Sequence, residues 1–204
     1  MALKREGVVF LLGIAILAVI IALLFLPRNV EAELLRLSVR FSALYGYLFL
    51  SVTTLLTPFL REVTQAFGRP FLKVHHSFAV LGFMLITLHP VFNAIESVNL
   101  SVFVPRFDSW YLFWLFAGRP ALILFYGAMF AALLRRRIMS YWRVFHALMY
   151  VVLFFGLVHA ALIGADFQNL DVTIVFFALF LASLAGFGFK RFRHFQLKRK
   201  INRR

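Results

Sequence analysis

Hydrophobic residues in this chain fall into six long runs separated by short polar stretches. A membrane-spanning helix needs about 20 consecutive apolar residues. The runs are Gly7–Leu26, about Phe41–Leu60, about Val74–Ile95, a helix starting near Pro120 and ending at Arg135-Arg136-Arg137, Trp142–Gly164, and about Val172–Phe189. A signal-peptide core runs about 7–15 residues and ends at a small-residue cleavage site. The first run is longer and ends in Pro27, so it reads as a retained helix. The fourth is interrupted by Gly118-Arg119-Pro120, and proline suits a first helical turn. The aromatic stretch Trp110, Tyr111, Phe113 and Trp114 before it reads as an interfacial belt. The predicted fold is an all-α polytopic bundle of six transmembrane helices.

Polar residues set the orientation. With the N-terminus inside, the inner side holds Lys4, Arg5, Arg61, Arg69, Lys73, Arg135, Arg136, Arg137, Arg143 and eight further cations from Lys190 to Arg204. Only Arg28, Arg36, Arg40, Arg106 and Arg119 fall outside, together with Glu31, Glu33, Glu96, Asp108, Asp166 and Asp171. The excess of Lys and Arg on one side predicts cytoplasmic termini and a multi-pass protein of the inner or plasma membrane. Residues 1–37 then form the first helix and its outer loop, 38–190 the main membrane domain, and 191–204 a basic cytoplasmic tail.

Composition agrees with the pattern: 204 residues, 63% hydrophobic, 15% charged, mean hydropathy +0.89. A soluble domain is closer to about 45–50% apolar and about 25% charged. The net charge of +14 is absorbed by the topology and does not call for nucleic acid. The basic tail is expected on anionic lipid. With no cysteine, there is no disulfide, thiolate metal site or covalent haem attachment. Gly82, Gly156, Gly186 and Gly188 lie in apolar runs, so no dinucleotide fingerprint is present. About fifteen residues follow position 190, too few for a nucleotide-binding domain.

Four histidines are the candidate chemistry. His75 and His89 lie 14 apart on the third run, His146 and His159 lie 13 apart on the fifth. Ionisable residues inside a bilayer are costly and mark function. Both runs point from inside to outside, so His75 pairs in depth with His146, and His89 with His159. At 1.5 Å per residue the two levels are about 20 Å apart. Neutral imidazole is an iron ligand, and a bundle core is a usual place for such sites, so the four can build two stacked haem sites, against the plainer reading as core or interfacial histidines bonded to neighbouring groups. Fourteen residues leave two side chains about 40° apart on a helix, but thirteen leave them about 140° apart. The fifth helix therefore needs a bend, bulge or tilt between His146 and His159, and Gly156 lies in that interval. The same arithmetic favours His75 over its rival His76 as ligand. Trp142, His146 and Tyr150, at i, i+4 and i+8, are candidates to line the inner haem. Arg69, Lys73 and Arg143 inside, and Arg119 outside, are candidates to neutralise haem propionates, against the plainer reading as anchors. Asp166 and Asp171 read as solvated residues of an outer loop.

The segment Trp142-Arg143-Val144-Phe145-His146-Ala147-Leu148-Met149-Tyr150, followed by His159, resembles the W-x-x-x-H-x-x-x-Y…H helix of ferric-reductase-like transmembrane domains. His75-His76…Leu88-His89-Pro90 resembles the partner helix. That family includes ferric reductases, NADPH oxidases and the haem subunit of the periplasmic methionine sulfoxide reductase system. The resemblance spans roughly residues 38–190. It implies two non-covalent b-type haems on the four matching histidines and electron flow outward from the cytoplasm. Ferric reductases and NADPH oxidases usually continue into a flavin and nicotinamide domain, and this chain does not. The methionine sulfoxide reductase subunit typically lacks the inner histidine that His75 supplies here. The expected donor is therefore a separate cytoplasmic flavoprotein reductase or a membrane quinol. The expected acceptor is ferric iron, a partner reductase or dioxygen on the extracytoplasmic side. The alternatives are a non-redox transporter, disfavoured by the lack of mid-membrane acids, and a haem-free anchor subunit.

Overall fold

The computed structural model describes residues 3–138 and 141–201; residues 202–204 of the basic tail fall outside the described part. The described residues form α-helices and short 3-10 turns, with no strand among them. The helices are α1 (Arg5–Phe25), α2 (Leu34–Leu56), α3 (Leu60–Phe67), α4 (Phe71–Ser97), α5 (Trp110–Leu115), α6 (Gly118–Leu133), α7 (Arg135–Ile138), α8 (Trp142–Ala147), α9 (Met149–Ile163) and α10 (Leu170–Ile201). Five helical stretches are long and apolar enough to cross a membrane: those starting at Arg5, Leu34, Phe71, Trp142 and Leu170. The sixth predicted span, α6, is apolar but only 16 residues long.

Helix α2 is the hub. Its buried residues run from Val39 to Leu56, and it packs along α4, α9 and α10. Small residues let the backbones approach closely. A Cβ on Gly46 would meet Ile86 at 2.9 Å, and one on Gly82 would meet Leu50 at 2.8 Å. Close helix contact through small residues is how helices associate where no solvent drives them together. The hydroxyls of Ser38, Ser42, Thr53, Thr54 and Thr57 donate to carbonyls four residues back. That satisfies them inside an apolar bundle. Helix α3 ends where Gly68 takes the left-handed conformation at φ 60°, which glycine adopts without steric cost. Pro70 then caps α4.

Some boundaries differ from the hydropathy reading. α2 starts seven residues before Phe41, because Leu34–Arg40 is helical but carries Arg36 and Arg40. α6 starts at Gly118, with Pro120 in its first turn, where no N–H partner is needed. α10 runs on through the basic residues to Ile201, since Lys and Arg are good helix formers. Helix α1 is part of the packing: Phe25 and Ile21 are buried, and the Tyr45 hydroxyl donates to the Ala18 carbonyl at 2.8 Å.

The two ends of the bundle carry different charge arrangements. At one end, near the start of α2 and the end of α4, Arg28 pairs with Asp171, Arg36 with Glu96, Arg40 with Asp166, and Arg106 with Asp108. Arg106 holds the Asp108 carboxyl below its ordinary pKa, first through their hydrogen bond. The other end gathers Lys4, Arg5, Arg61, Arg69, Lys73, Arg135–Arg137, Arg143 and the α10 cations, with Lys190 paired to Glu62. The first is the paired end and the second the basic end.

Candidate histidine sites

Helix α4 carries His75 in its first turns and His89 about four turns later, beside Pro90. Pro90 cannot donate to the Ile86 carbonyl, so the helix is locally loosened next to His89. His146 and His159 stand on two separate helices, because the predicted span breaks at Leu148. Leu148 donates to the Phe145 carbonyl three residues back, at 3.1 Å. Such a tighter turn advances about 120° per residue instead of about 100°. This is the direction needed to bring His146 toward the face of His159. The interval from His146 to His159 thus holds a tightened turn at Leu148, which closes only about 20° of the gap between the two side chains. Gly156 lies inside α9 with the Tyr47 ring 3.6 Å from where its Cβ would be.

At the basic end, the rings of His75 and His146 have centroids 6.1 Å apart and planes inclined at 65°. Two imidazoles bonded to one ion from opposite sides, at about 2 Å each, place their centroids about 6 Å apart. The Tyr150 hydroxyl is buried without a hydrogen-bond partner; the Nδ1 atoms of both rings are buried too, outside full hydrogen-bond geometry, with the Thr53 backbone beside His75 and the Ala128 backbone beside His146. Burying a polar atom without a partner is costly, and such orphans mark places where a ligand or another group completes the structure. His75 is buried and His76 exposed, so burial makes the same choice between them as helical register.

At the paired end, His89 Nδ1 lies 2.9 Å from the Val39 carbonyl and His159 Nδ1 lies 3.0 Å from the Leu115 carbonyl. A carbonyl can only accept, so each Nδ1 carries the proton and each Nε2 keeps its lone pair. That is the tautomer of a metal-ligating histidine, with the ring aimed by its second nitrogen. Gly118, at the start of α6, lies against the His159 ring: a Cβ there would stand 2.8 Å from Cδ2 and 3.0 Å from Nε2. Among the described residues, no group of three or more His, Cys, Asp or Glu could hold a metal ion. The facing imidazoles of His75 and His146 fit haem, whose porphyrin supplies the other iron ligands.

The remaining candidates divide. Trp142 stands beside His146, with ring centroids 6.0 Å apart, and Arg143 lies 5.8 Å over the Trp142 ring. Tyr150 lies beyond the break and packs on Phe187, so the expected continuous stripe of Trp142, His146 and Tyr150 is interrupted. Arg69, Lys73 and Arg143 are exposed. Arg119 donates to the Val104 carbonyl at 2.9 Å and lies 4.3 Å from the Phe116 ring. Asp171 is in a salt bridge with Arg28. Asp166 is not a solvated loop residue: it is 5% exposed and holds Arg40 through both carboxylate oxygens. Val39, Leu115, Gly118 and Arg40 were not legible as site residues. Two of them act through backbone carbonyls, which every residue type has.

Comparison with protein-family models, with characterised proteins and with solved structures gave no match to this chain.

Proposed function

We propose that this protein is a dihaem transmembrane cytochrome b of the ferric-reductase-like kind. In this reading six helices cross the membrane, with α6 as the shortest crossing and the basic end in the cytoplasm. Electrons enter at the basic end from a flavoprotein reductase or a membrane quinol. They leave at the paired end to an extracytoplasmic acceptor, either ferric iron or a partner reductase. The observation that carries the reading is the 6.1 Å separation of the His75 and His146 rings, the spacing of two imidazoles on one iron.

The protein's part is to hold and orient. His75 and His146 would grip one haem, and His89 and His159 the other, about 20 Å away along the helices. Haem supplies one-electron redox chemistry, and the protein sets its potential through ligands and burial. The Val39 and Leu115 carbonyls keep the His89 and His159 rings in the ligating tautomer. Trp142 and the orphaned Tyr150 hydroxyl would line the inner site. The cations of the basic end draw an acidic donor, or anionic lipid, toward His146.

The test is a reduced-minus-oxidised spectrum of the purified protein with haem counted per chain. Two b-type haems per chain are expected. A protein that stays colourless after haem supply refutes the proposal.

A further inference from the structure

We propose that Arg40 is a positioning residue for the paired-end histidines, acting with Asp166 and Asn29 as a clamp that holds the Val39 carbonyl against His89. The proposal rests on the dihaem reading above.

Val39 and Arg40 are adjacent in α2. The Val39 carbonyl accepts from His89 Nδ1 at 2.9 Å and from the Ser42 hydroxyl at 3.0 Å. The position of that carbonyl depends on how α2 is anchored near its start, and the Glu33 side chain makes no capping bond there. Arg40 supplies the anchor. Its Nε and Nη2 donate to the two Asp166 oxygens at 2.8 and 2.5 Å, and its Nη1 donates to the Asn29 side-chain oxygen. Asn29 donates in turn to the Phe25 carbonyl at 2.7 Å. Asp166 lies in the 3-10 turn that follows α9, the helix carrying His159. One guanidinium therefore joins the end of α1, the start of α2 and the segment leaving α9. It does so one residue from the acceptor that aims His89.

The neighbouring ion pairs do not share these properties. In Arg36–Glu96 the arginine side chain is 65% exposed, whereas the Arg40–Asp166 side chains are 22% and 8% exposed. Exposed pairs contribute little, but a bidentate, largely buried arginine fork fixes geometry. Removing one partner leaves a buried charge, so the anchoring fails locally. When the Nδ1–H···O=C bond loosens, the imidazole is a weaker donor to iron, and the ferrous state gains.

The experiment compares R40Q with R36Q in haem-loaded protein, using redox titration and the low-spin ferric electron paramagnetic resonance spectrum. R40Q is expected to shift the paired-end haem signal and to raise its ferrous-to-ferric ratio several-fold at fixed potential. The basic-end haem should not move, and R36Q should match the wild type at both. Haem signals are assigned by H89A and H146A. If R40Q does not accumulate, the paired replacement R40M/D166L is measured with the same expectation, because apolar substitution of both partners of a buried pair is well tolerated. A paired-end signal identical to wild type overturns the clamp, as does an equal shift of both haems. A wild-type protein that takes up no haem overturns the dihaem reading itself.

Discussion

The two histidine pairs are alike in sequence and different in structure. At the paired end, each ring is aimed by a backbone carbonyl, from Val39 or Leu115. At the basic end, both Nδ1 atoms are buried and meet no partner in full hydrogen-bond geometry, with the Thr53 backbone beside His75 and the Ala128 backbone beside His146. Leaving a buried polar atom unpaired costs about 1–3 kcal/mol. The paired-end rings are therefore the more firmly aimed, and the basic-end rings are held more loosely. The break at Leu148 follows the same division: it lies directly beside His146, while His159 stands within the uninterrupted helix α9.

Under the proposed function, the largest effects should come from replacing the histidines that would hold haem. His146→Ala is expected to lower haem content from two per chain to one, and His89→Ala to remove the other haem instead. Haem quantitation with difference spectra checks both. If either substitution empties both sites, the pairs are not independent and the contrast between them fails.

Gly118→Ala is the next strongest probe, because it crowds one pair only. Its Cβ would stand 2.8 Å from the His159 ring, and forcing a methyl group into a packed site costs about 1–3 kcal/mol. Haem affinity at the paired end should fall tenfold or more in a haem titration, with the basic end unchanged. Equal loss at both ends would show that Gly118 serves the bundle and not the ring.

A subtler contrast concerns potential. Imidazoles that donate to carbonyls are the more basic ligands and favour the ferric state. Under the proposed function the paired-end haem should therefore titrate at the lower potential, by on the order of 60 mV, a tenfold change for a one-electron couple, so the step from the basic end is slightly uphill and is drawn by the acceptor. Potentiometric titration of the wild type and of the single-haem variants measures this, and the opposite order would overturn it.

The smallest effect concerns the Tyr150 hydroxyl. Tyr150→Phe removes an orphaned hydroxyl, so the haem-free protein should gain about 1 kcal/mol of stability in denaturant unfolding. The haem-loaded protein should not gain if that hydroxyl meets the ligand. A gain of equal size in both forms would separate Tyr150 from the site.

Hydropathy made the long helices legible: α4 matches its predicted run to within three residues at each end. It missed the start of α2, where Arg36 and Arg40 break the apolar run without breaking the helix. Helical arithmetic anticipated a distortion between His146 and His159 and preferred His75 over His76, because both follow from a fixed angle per residue. It could not locate the break, which depends on backbone bonding around Leu148. The role of Asp166 was hidden for another reason. Its partner Arg40 is 126 positions away, and no local pattern connects them. The carbonyls of Val39 and Leu115 were illegible in principle, since backbone acceptors leave no trace in residue identity.

The placement of the three tryptophans has an optical consequence. Trp142 touches the His146 ring, while Trp110 and Trp114 pack on each other, 5.5 Å apart, just before α6. The chain thus carries a native fluorophore at each end of the bundle. Replacing Trp142 with phenylalanine leaves emission from one end alone, and the quenching of each reporter would show which end fills first.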